Sequence, residues 1–216
     1  MKLTYINPNA TVSMTDGIVA VAQAALPEAE VTGLTNQDGP PAIQGAEDGA
    51  AAVPGLLKRL ADARDADAIV IACFDDTGLA EAQAQAHCPV LGIGQASYLM
   101  AALLGLRFSV VTSMAVSIPV IEENIVNAGW DGARASVRAS GLPVLVIDEG
   151  APETIARIAQ EVELARVQDG AACAVLGCAG MGPLRAQLQA QCQIPLIDGV
   201  AASAHLAKAA LDYLKG

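Results

Sequence analysis

Short apolar runs rich in β-branched residues recur along the chain, separated by longer Ala-rich stretches with helical spacing. The runs predict strands at Leu3–Ile6, Glu30–Leu34, Ala68–Ala72, Val90–Ile93, Phe108–Val111, Ser136–Ala139, Ala174–Leu176 and Leu196–Ile197. Between them the spacing predicts helices over Ser13–Ala25, Gly45–Arg64, Gly78–Ala86, Ser97–Leu104, Val116–Asn127, Pro152–Gln168, Gly182–Gln191 and Ser203–Leu214. Thr77 before Gly78, Ser97, and Pro152 in a first turn supply local start signals. Strands that read apolar throughout, rather than alternating, fit sheets covered by helices on both faces. Strand–helix alternation of this kind predicts a parallel α/β fold.

The pattern also repeats. An offset of 105 residues sets Lys2–Asn7 on Arg107–Thr112, Ile71-Ala72-Cys73 on Leu176-Gly177-Cys178, and Leu79 on Leu184. After a one-residue insertion, Pro89-Val90-Leu91 meets Pro195-Leu196-Ile197, and Ala96-Ser97 meets Ala202-Ser203. This predicts two similar halves, residues 1–97 and 98–202, with the final helix, 203–216, either closing the second half or returning to the first. Residues at the C-terminal ends of parallel strands face the crevice where α/β sheets bind ligands. The repeat puts Cys73 and Cys178 at equivalent strand ends. If the halves face each other, the two sulfurs approach one cleft from opposite sides, which is what inversion at a carbon requires.

Composition removes several alternatives. The 216 residues carry a formal charge of −11 and only six aromatic side chains, so nucleic-acid binding is not expected. No uncharged apolar stretch reaches the ~18 residues that a membrane helix needs. The N-terminal segment lacks the pattern of a signal peptide, so a cytoplasmic location is expected. Five cysteines, an odd count without a Cys-x-x-Cys pair, argue against a disulfide framework, and two distant histidines give a zinc site little support. Cys88, Cys173 and Cys192 read as small buried apolar residues. The glycines at 92, 94, 177, 180 and 182 lack dinucleotide spacing and the lysine of a phosphate loop, and read as tight turns. His205 and Lys208 fall on a half-buried surface helix.

Six ordered blocks carry a family resemblance: Ile6–Met14, Gly39–Gly45, Ile71–Leu79, Arg107–Thr112, Leu176–Met181 and Pro195–Val200. Together they resemble the aspartate/glutamate/hydantoin racemase superfamily, and within it the hydantoin and allantoin racemase branch. The resemblance covers nearly the whole chain. It implies two pseudo-symmetric, flavodoxin-like parallel-sheet halves with the active site in the cleft between them. It implies a cofactor-independent enzyme whose partner is a small-molecule substrate, and it leaves a homo-oligomer open. It implies that Cys73 and Cys178 are the acid/base pair of a 1,1-proton transfer. In the branch's usual Cys-Phe-Gly/Ser-Asp-Pro-Gly motif the third place is small; here the run is Cys73-Phe74-Asp75-Asp76-Thr77-Gly78. An inward-facing Asp75 would raise the nearby thiol's pKa and disfavour anionic substrates, or accept a hydrogen bond from a substrate N–H.

Around the thiols, Asn9 and Thr112 stand at strand ends as expected substrate contacts, with a turn or cap role as the alternative for Asn9. Ser113 is a contact or a helix cap. Phe74, Ala179 and Gly180 would supply backbone amides beside the sulfurs. Pro40–Gly45, with Ile43, is either a wall over the substrate's side chain or an ordinary loop. The expected reaction is racemisation or epimerisation of a 5-substituted hydantoin-like ring, allantoin included. Racemisation of an aspartate- or glutamate-type amino acid and non-catalytic small-ligand binding are the alternatives. Single-cysteine decarboxylation is disfavoured by the intact pair, and cis–trans isomerisation would need thiol addition to an alkene.

Overall fold

A computed structural model describes residues 1–216. Two four-stranded parallel sheets form, each with flavodoxin-like strand order. The first contains β1 (Lys2–Asn7), β2 (Glu30–Thr35), β3 (Ala68–Ile71) and β4 (Val90–Gly92) in the order β2-β1-β3-β4. The second contains β5 (Phe108–Thr112), β6 (Arg134–Ala139), β7 (Cys173–Gly177) and β8 (Leu196–Asp198) in the order β6-β5-β7-β8. The pairing registers carry the sequence repeat: Leu3 pairs with Ala68 as Phe108 pairs with Cys173, and Ile71 pairs with Gly92 as Leu176 pairs with Asp198.

The helices are α1 (Val12–Ala25), α2 (Ala46–Arg59), α3 (Leu79–Gln85), α4 (Ile93–Leu103), α5 (Ile118–Asn127), α6 (Val144–Glu149), α7 (Pro152–Gln168), α8 (Arg185–Gln189) and α9 (Gly199–Lys215). Their packing gives one continuous apolar cluster running from Leu3, Tyr5 and Val70 through Val111 and Leu176 to Val162 and Leu211. Each such fully buried aliphatic side chain contributes about 1.5–3 kcal/mol. Helix α9 lies against both α1 and α4, and the buried Tyr5 hydroxyl bonds the Val200 carbonyl at 3.1 Å and Ser203 Oγ at 3.0 Å. At the α4–α9 contact a Cβ on Gly199 would stand 2.3 Å from the Ile93 carbonyl oxygen, so only glycine lets the helices approach this closely. The expected division at 97/98 falls inside α4.

All eight expected strands form, but several boundaries and patterns differ. Helices α4 and α9 begin at Ile93 and Gly199, four residues before the serines expected to start them. Ser97 Oγ instead bonds the Ile93 carbonyl one turn back at 2.8 Å, and Ser203 Oγ bonds that of Val200 at 2.8 Å. Thr77 does not cap α3; its hydroxyl points at Cys73 Sγ, 3.5 Å away. The helix expected over Gly182–Gln191 is a 3₁₀ segment, Ala179–Leu184, followed by the short α8. That expected over Gly45–Arg64 ends at Arg59 and tightens into 3₁₀ over Leu60–Ala63. Strands β2 and β6 are not apolar throughout: they are sheet edges, and no residue of either is fully buried. Helix α6, unmarked by periodicity, was not expected.

Candidate active site

In both sheets the strand order reverses beside the first strand, and the loops leaving the two strands there border a crevice. Asn9 and Cys73 follow β1 and β3; Ser113 and Cys178 follow β5 and β7, with Thr112 the last residue of β5. The two crevices merge into a single small pocket, whose lining includes both sulfur-bearing residues. Of the expected contacts, Asn9, Ile43, Phe74, Asp75, Thr112, Ser113 and Ala179 line it. Gly180 does not; it is buried behind Cys178. Met14, Ala72, Ser117, Val144 and Gly177 complete the lining without having been expected. No Lys, Arg or His is among the lining residues.

Each thiol has its own set of donors. Cys178 is extended and immediately precedes the 3₁₀ segment, but its side chain does not cap that segment. The Met181 amide donates to the Cys178 carbonyl at 3.0 Å, and the Gly180 and Met181 amides stand close enough to the sulfur to favour its thiolate. Cys73 receives the Thr77 hydroxyl and the Asp75 amide. The amides are therefore those two residues beyond each cysteine, with Met181 added, rather than those of Phe74 and Ala179; a turn closing after the strand aims the later N–H groups back at the side chain. Burial, the largest influence, pushes the Cys178 thiol up to about 12 and Cys73 well above its ordinary value, and the Asp75 carboxylate raises both further. Asp148 adds to the rise at Cys178, and Cys178 to that at Cys73. The donors pull in the opposite direction.

Asn9 is fixed by a local network. Its Oδ1 accepts from Asn7 Nδ2 and from the Thr11 amide, both at 2.9 Å, which settles the orientation of the side chain. The NH₂ end meets only the Met14 sulfur, a weak acceptor, at 3.2 Å, and so remains a donor on the pocket side. Thr112 donates to the Gly177 carbonyl at 3.0 Å across the β5–β7 pair. The Phe74 ring leaves its own half and packs edge-on to Tyr98 at 5.9 Å within the apolar cluster of the second sheet, anchoring the loop that carries Cys73.

Segment 40–45 is a wall. The Pro40 carbonyl accepts from the Ala10 amide at 2.9 Å, that of Pro41 from the Thr11 hydroxyl at 2.7 Å, and Gln44 Oε1 from the Val144 amide of α6 at 3.0 Å. These bonds seat Ile43 in the pocket. Gly45 turns the chain with φ +93°, against Val116. Asp75 stands near this turn: its carboxyl faces the Gly45 amide and the Ser117 hydroxyl, and burial raises its pKa to about 7. Its Oδ2 is buried without a hydrogen-bond partner. Cys173 is buried in β7, Cys88 and Cys192 are partly buried against apolar clusters, and all five cysteines are free thiols. His205 is exposed and Lys208 half-buried on α9. No helix is long and apolar enough to cross a membrane.

The family model described as Asp/Glu/Hydantoin racemase matches residues 3–207. The hydantoin racemase of Rhizobium meliloti is 40% identical, over 98% of this chain and 89% of its own length. That of Pseudomonas sp. (strain NS671) is 32% identical over 100% and 88%. Among solved structures, allantoin racemase from Klebsiella pneumoniae superposes with a TM-score of 0.93 at 32% identity, covering 99% of this chain and 88% of that one.

Proposed function

The chain belongs to the Asp/Glu/hydantoin racemase family and is an isomerase, and on that premise we propose that it racemises a 5-substituted hydantoin, allantoin included, by proton transfer between Cys73 and Cys178 without a cofactor. The observation that carries this reading is that two thiols, from equivalent strand ends of two opposed sheets, line one pocket. One sulfur, as thiolate, takes the proton from C5 of the ring; the electron pair of that C–H bond moves into the adjacent carbonyl, giving an enolate. The opposite thiol returns a proton to the other face, and the two sulfurs have exchanged protonation states. Because burial holds both protons in place, the amides of Gly180 and Met181 and the Thr77 hydroxyl favour the thiolate when it forms. The Asn9 NH₂ supplies a preorganised donor for a ring oxygen that gains charge.

The absence of a basic side chain from the lining favours a neutral ring over a free amino acid, whose carboxylate would have no cation to meet and would share the pocket with Asp75. The ring's C5 proton, beside a neutral imide-like carbonyl, is also the easier one to remove. The test is hydrogen–deuterium exchange at C5, followed by NMR in deuterated water, with optical rotation read in parallel. Exchange accompanied by racemisation of 5-substituted hydantoins is expected. Exchange of aspartate or glutamate instead would transfer the reaction to amino acids, release of carbon dioxide from a malonate would indicate decarboxylation, and no exchange across the panel would leave a binding protein.

A further inference from the structure

Asp75 is the only carboxyl among the pocket-lining residues, and its Oδ2 is both buried and without a partner. Leaving such an acceptor unsatisfied costs about 1–3 kcal/mol, so a folded chain that keeps one inside a pocket needs a reason for it. No basic side chain in the lining can neutralise it, and its two neighbouring donors, the Gly45 amide and the Ser117 hydroxyl, leave Oδ2 unclaimed. The carboxyl faces the Gly45 turn and so stands beside the wall that seats Ile43. Asn9 offers a donor, and the Thr112 and Gly180 donors are already engaged. Asp75 therefore adds the one strong acceptor. The usual branch motif has a small residue at this place, while the hydantoin ring is common to the reading above; the extra carboxyl is suited to the part of the substrate that varies.

Resting on the proposed hydantoin reaction, we propose that Asp75 is a specificity residue whose Oδ2 accepts an N–H from the 5-substituent, selecting ureido-type substituents over alkyl ones. The Asp75 charge also raises both thiols, but that effect is the same for every substrate and cancels in a ratio of two substrates.

The experiment measures kcat/KM for C5 exchange of allantoin and of 5-isopropylhydantoin, above the buffer rate, in the wild type and in Asp75→Ser and Asp75→Asn. The wild type is expected to prefer allantoin, and the allantoin-to-isopropyl ratio to fall by about 10- to 100-fold in Asp75→Ser, the range for losing one charge-assisted hydrogen bond. Asp75→Asn, close in shape but presenting an NH₂ to the same donor, is expected to lower the ratio as well. Thermal shifts of the wild type with each compound give a readout that needs no variant, and allantoin is expected to raise Tm more. A ratio unchanged within twofold, or equal thermal shifts, overturns the inference while leaving the reaction in place. No exchange of either compound by the wild type overturns the reaction and the inference with it.

Discussion

The loops after β3 and β7 occupy the same place in two copies of one sheet, yet they treat their cysteines differently. After β7 the chain goes straight into a 3₁₀ segment, whose amides serve Cys178, and no acidic side chain follows it within that segment. After β3 it runs through Asp75, Asp76 and Thr77 before α3 begins, and Cys73 meets a hydroxyl, one amide and a neighbouring carboxylate. The helix starts show the same divergence. In the second sheet Asp198, the last residue of β8, caps α9 itself, accepting from Val200 and Ala201 at 3.1 Å each. In the first the equivalent residue is Gly92, and Asp76 reaches across to accept from Gly94 at 2.9 Å and Gln95 at 2.7 Å. The frame is duplicated, but the charge is concentrated on one side. A pseudo-symmetric site can thus hold two sulfurs at equivalent strand ends while surrounding each with a different set of donors and charges.

The sharpest way to break the comparison is to remove one sulfur at a time. Cys73→Ser and Cys178→Ser are each expected to lower racemisation by about 100- to 10,000-fold, the usual worth of a positioned acid or base. If the sulfurs face opposite sides of C5, each variant retains exchange of one enantiomer only, and the two variants retain opposite ones. NMR exchange on resolved enantiomers checks this; the same enantiomer surviving in both would put the sulfurs on one side.

The caps can be exchanged between halves. Asp76→Gly is expected to destabilise the fold by about 1 kcal/mol, since two partly buried amides lose their acceptor. Glycine offsets part of the loss by accepting the positive φ of 48° at this position. Gly92 has φ −102° and ψ 150°, close to the −101° and 124° of Asp198, so its backbone already suits a capping aspartate. The Asp76 carboxyl is the main obstacle, with Oδ1 2.0 Å from where a Cβ would lie, and the flexible end of Leu79, 3.0 Å away, has to shift slightly. The double variant Asp76→Gly/Gly92→Asp is therefore expected to recover most of the loss, whereas Gly92→Asp alone destabilises. Urea denaturation of the three variants decides it.

Asp75 should make the two halves titrate together. Above about pH 7 its carboxylate is charged and holds both thiols up; Asp75→Asn removes that charge. The acidic limb of the kcat/KM profile, which reports thiolate formation, is expected to move to lower pH in the variant, so that the rate at a fixed pH on that limb rises. Stability supplies an independent sign. Asp75's pKa rises from 3.8 to about 7 on folding, so the folded chain holds the proton more tightly. That contribution is present at low pH and is lost as pH climbs from about 4 through 7. Asp75→Asn should consequently gain stability relative to the wild type between pH 5 and 8, measured by denaturation at both values.

The repeat was legible because strand pairing preserves it: one offset in the sequence became one register in both sheets. The places of Cys73, Cys178, Asn9 and Thr112 followed, since strand ends at the reversal of strand order have few alternatives. What failed was contributed by residues distant in sequence. Helix α4 starts early because Asp76 caps it from another loop, a signal that no local window contains. Ser117 reaches the pocket from a 3₁₀ turn, Ala115–Ser117, where the helix expected over Val116–Asn127 has not yet begun, and Val144 from the short α6, which periodicity does not mark. Met14, by contrast, lies within the Ile6–Met14 block, so the sequence carries a signal for it. Strands β2 and β6 depart from the expectation of strands apolar throughout because composition does not reveal which strands are edges.

The smallest expected effects concern two ties between the first half of the chain and α6. Ser13 on α1 donates to Asp148 on α6 at 2.8 Å in an exposed bond, while Gln44 accepts the Val144 amide at the start of α6 at 3.0 Å, partly buried. Water can replace the Ser13 hydroxyl, so Ser13→Ala should change stability by no more than about 0.5 kcal/mol. Gln44→Ala leaves a helix-start amide without its acceptor and should cost about 1 kcal/mol. It should also raise KM more than it lowers kcat, because Gln44 seats Ile43 rather than the sulfurs. If both variants instead lowered kcat alike, the placement of α6 against the first half, and not the wall beside Ile43, would be what positions the ring between the two thiols.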